Sequence, residues 1–161
     1  MDKIKQLNLD ELNISISDNN KVLSFLLSDN LLNEITSNQQ TVDTIAFIRN
    51  GFPKESVTRV IEKTDLPAGK IFNILHIGFP QPAYYNDDEK LSVEQSNFLY
   101  EFARLYLKGL DVFGDKQTFD HWLNRPNLAL GEKTPLELLD TIEGFRLVEN
   151  VLAQIEYGFY S

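Results

Sequence analysis

The chain contains only two histidines, His76 and His121, which are the first candidates for catalysis or metal binding. They fall in separate predicted helices, and neither has a Glu or another His one helical turn away. A metal site needs several converging ligands, and the chain has no cysteine to supply a thiolate. The sequence therefore predicts no metal site and no cofactor.

Other pairs of titratable residues are equally poor candidates for an active site. Asp120 directly precedes His121, but adjacent helix residues point in different directions, so we expect a surface aspartate and a half-buried histidine. Glu137 and Asp140 look like first-turn helix acids and solvated side chains rather than a catalytic pair. The 8 glycines form no phosphate-binding loop, and we predict that the protein is not an enzyme.

The net charge of −9 limits the choice of partner. A duplex-binding domain normally has a basic face, because phosphate neutralisation supplies most of its non-specific affinity. The charge argues against strong DNA binding by the monomer and suits a basic protein surface, although solubility alone would also explain it. No apolar stretch has the length of a signal peptide or a membrane span, so we expect a cytoplasmic protein without membrane association.

Apolar residues recur at helical spacing along the chain, and no alternating strand pattern competes with them, so the predicted fold is all-α. Residues 19–37 are predicted as a helix interrupted near Ser28, and residues 40–50 as a second helix. A capping box of Ser92 and Gln95 begins the clearest helix, which ends near residue 114.

The last third of the chain shows a second capping box, Thr134 with Glu137, and a final helix from about Thr141 to Gly158. Gly144 falls inside this helix, where we expect it to permit close approach of another helix. The only tryptophan, Trp122, is expected to be largely buried near Phe113 and Leu139.

Two predicted helices, 53–63 and 67–76, have the spacing of a helix-turn-helix. The second helix would offer Lys70, Asn73 and His76 to a DNA groove, with Lys63 and Lys70 as phosphate contacts. Two packed helices of a bundle would give the same pattern, and the spacing does not decide between these interpretations.

A longer series of residues resembles a known family. It comprises Val112-Phe113-Gly114, Trp122-Leu123, Arg125-Pro126-Asn127, Leu130-Gly131, Thr134-Pro135-Leu136, Leu138-Leu139, Thr141, Gly144, Val148 and Ile155-Glu156-Tyr157-Gly158. In order and spacing it resembles the C-terminal domain of Xre/MbcA/ParS-type antitoxins, which are partners of RES-domain toxins. The resemblance marks Phe113, Gly114, Trp122, Pro126, Asn127, Gly131, Pro135 and Gly144 as structural motif positions.

The preceding part of the chain fits the same family more loosely. Gly51-Phe52-Pro53 stands where the family begins its Xre-type helix-turn-helix, and Leu91-Ser92 matches the Leu-Ser that follows it. The Thr- and Arg-rich stretch between them is replaced by residues 80–88, which carry prolines and acids. We therefore predict an N-terminal arm and helix without an assigned role (1–39), a degenerate helix-turn-helix region (40–90) and a small helical toxin-binding domain (91–161).

The resemblance implies an antitoxin that neutralises a RES-type toxin acting on NAD, with its C-terminal end in the toxin's cleft. The implied toxin-binding residues are Ile155, Glu156, Tyr157, Gly158, Phe159, Tyr160 and Ser161. The family also implies a homodimer that binds its own operator DNA, with Lys63, Lys70 and Asn73 as the candidate contacts here. A DNA-binding autorepressor and a helical scaffold protein are the alternative functions.

Overall fold

The computed structural model describes residues 18–36, 44–78 and 89–158. Helix α1 covers residues 18–26. It is followed by α2 (Asp29–Thr36), α3 (Thr44–Asn50), α4 (Glu55–Lys63), α5 (Ala68–Ile74), α6 (Val93–Phe113), α7 (Lys116–Leu123) and α8 (Ile142–Glu156). Within these ranges no strand forms, and the all-α prediction is confirmed. The break between α1 and α2 lies where the sequence predicts it.

Helix α6 is the longest helix, and α3, α7 and α8 pack against it. The predicted capping box forms, because the Ser92 hydroxyl accepts from the Gln95 backbone and the Gln95 side chain accepts from the Ser92 backbone. Gly114 ends the helix at φ 83°, a conformation that favours glycine. The predicted start and end of this helix are therefore confirmed.

Helices α4 and α5 form the predicted pair and bury Val57, Val60, Ile71 and Ile74, together with the C-cap residue Leu75, whereas Ile61 is only partly buried. The segment before α4 is attached to the start of α6 by two hydrogen bonds. The backbone N–H of Phe52 donates to the Ser96 hydroxyl at 3.0 Å, and that of Leu91 donates to the Phe52 carbonyl at 2.8 Å. One hydrophobic core thus runs from α1 through α4 and α5 to α8.

Gly144 has a packing role, but its neighbour is not the helix that we expected. A Cβ at Gly144 would lie 1.6 Å from the carbonyl oxygen of Leu138, in the 3-10 turn Leu136–Leu138. The Thr134–Glu137 capping box forms as predicted, but it begins this short turn instead of an α-helix. Because the 3-10 turn is tight, its backbone comes so close to position 144 of α8 that the position requires a glycine, which has no Cβ.

Trp122 packs against the core and is partly buried, in keeping with the expectation of a largely buried ring, but it does not fill the core itself. Phe119 fills the core position instead, with 0% exposure, over Gly109 of α6. Trp122 packs on its outer side, with ring centroids 6.0 Å from Phe119 and 5.4 Å from Phe113. The expected contact with Phe113 is confirmed.

Candidate functional site

The end of α8 presents the first four of the seven implied toxin-binding residues. Ile155 is partly buried against the core, and Glu156 forms an ion pair of 2.8 Å with Lys108 of α6. Tyr157 follows as the C-cap and is 74% exposed, and Gly158 has φ 75°. Phe159, Tyr160 and Ser161 lie outside the described residues.

The start of α8 borders an open groove of about 1030 Å³ between α6 and α8. His76 reaches this groove from the end of α5. Its Nδ1 lies 3.0 Å from a Glu94 carboxylate oxygen, its Nε2 lies 2.7 Å from the Asp140 carbonyl oxygen, and its ring packs on Phe98. The ring therefore contacts the C-terminal part of the fold.

Both ring nitrogens of His76 face acceptors, so the protonated form satisfies both contacts. The hydrogen bond to the Asp140 carbonyl, and then that to Glu94, raises the pKa of His76 above its ordinary value. His76 also has a left-handed backbone conformation, φ 54°, which is uncommon for a residue other than glycine.

The Asp120-His121 pair is arranged opposite to the prediction. Asp120 is buried and accepts hydrogen bonds from the Tyr106 hydroxyl at 2.7 Å and the Asp65 backbone N–H at 3.0 Å. His121 is exposed, and its Nε2 lies 3.1 Å from the Arg125 guanidinium. The reason is that the Asp120 face of α7 packs towards α6, so the predicted surface aspartate is a core residue.

The candidate DNA contacts differ in their surroundings. The Lys63 ammonium donates to the Phe25 carbonyl at 2.7 Å and lies 4.8 Å from the centre of the Phe25 ring. Burial and the nearby Arg59 lower the pKa of Lys63. Lys70 and Asn73 are exposed on α5, as Lys63 is on α4, so the three candidates differ in that the Lys63 ammonium is bound to the Phe25 carbonyl.

Glu137 has a capping role, because its carboxylate accepts from the Thr134 hydroxyl at 3.0 Å, and these hydrogen bonds lower its pKa. Among the described residues no group of three or more His, Cys, Asp or Glu is arranged to hold a metal ion. No helix in the described part of the chain is long and apolar enough to cross a membrane.

The structural motif positions build the connection between α6, α7 and α8. Asn127 caps the 3-10 turn Leu128–Leu130 by accepting from the Ala129 backbone at 2.9 Å, and Gly131 ends that turn at φ 67°. The turn leaves Leu128 84% exposed. Sequence reasoning missed Gly109 and Ser96, which contact residues of other elements and carry no local sequence signal.

The family match and the similar known proteins point to the same class of protein. Residues 108–158 match the family described as the antitoxin Xre/MbcA/ParS C-terminal toxin-binding domain. A "Prs ADP-ribosylating antitoxin" of Sphingobium is 30% identical over 133 residues, which cover 74% of this chain and 82% of that protein. An "Antitoxin Xre" of Photorhabdus laumondii is 29% identical over 118 residues, which cover 72% of this chain and 80% of that protein.

Proposed function

Because the chain belongs to the Xre/MbcA/ParS antitoxin family, we propose that it neutralises a RES-type, NAD-consuming toxin by binding it directly with the C-terminal end of α8. The role is inhibitory and non-catalytic. The proposed location is the cytoplasm, because an NAD-consuming toxin would act there. ADP-ribose transfer draws on NAD, and the name of the Sphingobium relative refers to ADP-ribosylation.

One observation carries the proposal, namely that α8 ends in an aromatic residue turned to solvent. Tyr157 is 74% exposed, and Gly158 has the left-handed backbone that turns the chain away from the helix axis. Tyrosine is enriched among the residues that dominate binding energy at interfaces. Phe159 and Tyr160 follow directly in sequence, so the segment 157–161 offers several aromatic anchors for a cleft.

Truncation tests this proposal. Deletion of residues 157–161 removes none of the buried core residues of α8, so we expect the fold to persist, as judged by circular dichroism. The toxin for this test is the RES-type protein that the proposal expects to be encoded beside this chain's gene. Cells that express both proteins should lose growth and cellular NAD when the antitoxin is truncated.

A matched pair of substitutions provides the control. Tyr157→Ala and Ile45→Ala each remove an exposed apolar side chain, at 74% and 59% exposure, but only Tyr157 lies in the proposed binding segment. Tyr157→Ala should weaken protection and Ile45→Ala should leave it unchanged. Full protection by the truncated chain, or the absence of any RES-type neighbour, contradicts the proposal.

A second candidate function, repression of its own operon as a DNA-binding homodimer, is favoured by the α4–α5 pair. Lys70 and Asn73 are exposed on the second helix of that pair, the position from which such a helix reads the major groove. A homodimer would present two such helices to a symmetric operator. The net charge of −9 weighs against strong binding without a basic partner.

A further inference from the structure

The outward face of α8 carries an uncharged stripe from Leu147 to Tyr157. Leu147 and Tyr157 are 50% and 74% exposed, and Asn150 and Gln154 between them are also exposed. At 3.6 residues per turn these four side chains lie within an arc of about 80°. They form a continuous strip along roughly three turns of the helix.

Between Leu147 and Tyr157, the charged residues of α8 are directed towards α6. Glu149 and Glu156 form ion pairs with Arg104 and Lys108 of α6, at 2.6 and 2.8 Å. Arg146 is paired with Glu143, before the stripe begins. Lys, Glu and Asp are depleted and Tyr is enriched where protein interfaces are most buried. An exposed helical face with this composition is therefore typical of the centre of an interface.

The proposed C-terminal segment alone is too small for a stable complex. It contains seven residues, 155–161, whereas standard interfaces use about 20–30 residues on each side. The toxin must therefore also cover antitoxin surface outside this segment. The uncharged stripe is continuous with Tyr157 and lies within residues 108–158, which match the toxin-binding domain.

We propose that the uncharged stripe of Leu147, Asn150, Gln154 and Tyr157 is the face of α8 on which the toxin docks. This inference rests on the proposed function. The complementary toxin surface would supply apolar side chains opposite Leu147 and Tyr157, and hydrogen-bonding groups opposite Asn150 and Gln154. It would place no charge there, because a charge buried without a partner is strongly unfavourable.

A single added charge tests the stripe. Gln154→Glu is nearly isosteric, and Gln117→Glu is the matched control at another exposed helical glutamine, on α7. The probe is the purified RES-type protein encoded beside this chain's gene, titrated calorimetrically against the full-length chain. Gln154→Glu should weaken binding by about tenfold or more, equivalent to about 1.4 kcal/mol, and Gln117→Glu should change it by less than about twofold.

A second variant, Leu147→Ser, should also weaken binding, and thermal unfolding of each variant checks that the fold is retained. If the wild-type chain binds the toxin and both stripe variants bind it as tightly as the wild type, the stripe is not the docking face, while the proposed function stands. If the wild-type chain does not bind the toxin, both proposals are overturned. If Gln154→Glu instead dissociates a dimer of the free chain, the stripe is a self-association surface, and the inference is overturned.

Discussion

The Tyr106 hydroxyl donates a 2.7 Å hydrogen bond to the Asp120 carboxylate, and both residues are buried. The other carboxylate oxygen accepts from the Asp65 backbone N–H, in the turn between α4 and α5. Lys116 of α7 pairs with the Asp65 side chain at 2.9 Å. This polar cluster joins the α4–α5 turn to α6 and α7.

Tyr106→Phe should therefore destabilise the protein. The change removes one donor from a buried carboxylate, and an unsatisfied buried acceptor costs about 1–3 kcal/mol. Urea denaturation measures the change in the free energy of unfolding. Tyr157→Phe, which alters an exposed ring, is the control and should lie within about 0.5 kcal/mol of wild type. Equal stability of both variants would contradict the role of the cluster.

Gly144→Ala should destabilise the chain by about 1–3 kcal/mol, because the added methyl group meets the Leu138 carbonyl and forces the 3-10 turn to move. Gly69→Ala is the comparison. It lies in α5 with nothing within 4 Å of its Cβ position, and should stabilise the helix by about 0.5–1 kcal/mol. Opposite signs in thermal unfolding are the expected result, and a loss of stability in both variants would contradict it.

His76 should make stability depend on pH. Its pKa is raised in the folded state above the ordinary histidine value of 6.5, so the folded protein binds the proton more tightly than the unfolded chain. The stabilisation is therefore fully present below pH 6.5 and is lost as pH rises through the folded-state pKa. Denaturation at pH 5.5 and 8, with NMR titration of the ring, measures both quantities.

His76→Asn is the matched variant for this titration, because asparagine tolerates the left-handed backbone but does not titrate. It should abolish the change in stability between these two pH values. An NMR pKa at or below 6.5 in the wild-type protein would show that Glu94 and the Asp140 carbonyl do not hold the proton.

Trp122→Ala should cost less than Phe119→Ala, because the Trp122 ring is partly exposed and that of Phe119 is fully buried. Removal of a buried phenylalanine costs about 3–5 kcal/mol. Circular dichroism during denaturation provides the measurement in both variants. The fluorescence emission maximum of Trp122 should lie between the values for buried and fully hydrated indole. An emission maximum typical of fully hydrated indole would show that the Trp122 ring does not pack on Phe113.

The isolated protein should bind duplex DNA weakly, with an affinity that falls as salt is raised. Lys70→Gln should reduce the magnitude of the slope of the logarithm of the DNA-binding constant against the logarithm of salt concentration by about one. Lys63→Gln should instead lower the free energy of unfolding, because Lys63 is bound to Phe25. Gel-shift titration on the upstream region measures both. Nanomolar, sequence-specific binding at physiological salt would refute this prediction.

Local signals explain which parts of the fold could be predicted from the sequence. The capping boxes at Ser92 and Thr134 and the helix end at Gly114 depend on residues within four positions of one another. His76 and Asp120 were misjudged because their partners lie between 14 and 64 positions away. Helical periodicity gives the buried face of a helix but not the side chain that fills it, and so it did not show that Phe119 is fully buried while Trp122 lies on its outer side.

The candidate site was predictable only in part, and for a different reason. The motif series around Asn127 and Gly131 identified the domain. The uncharged stripe emerges only when the ion pairs of α8 are known, because Glu149 and Glu156 adjoin the stripe in sequence and face α6 in the structure.

The hydrogen bond between Phe52 and Ser96 has a consequence for how this molecule can change over evolutionary time. The α4–α5 pair forms one wall of the core, so losing Val57 or Ile71 would open the interior of the part that matches the toxin-binding family. Substitution of the exposed residues Lys70 and Asn73 carries no such penalty. The pair would therefore keep its shape even when the residues on its exposed surface are replaced.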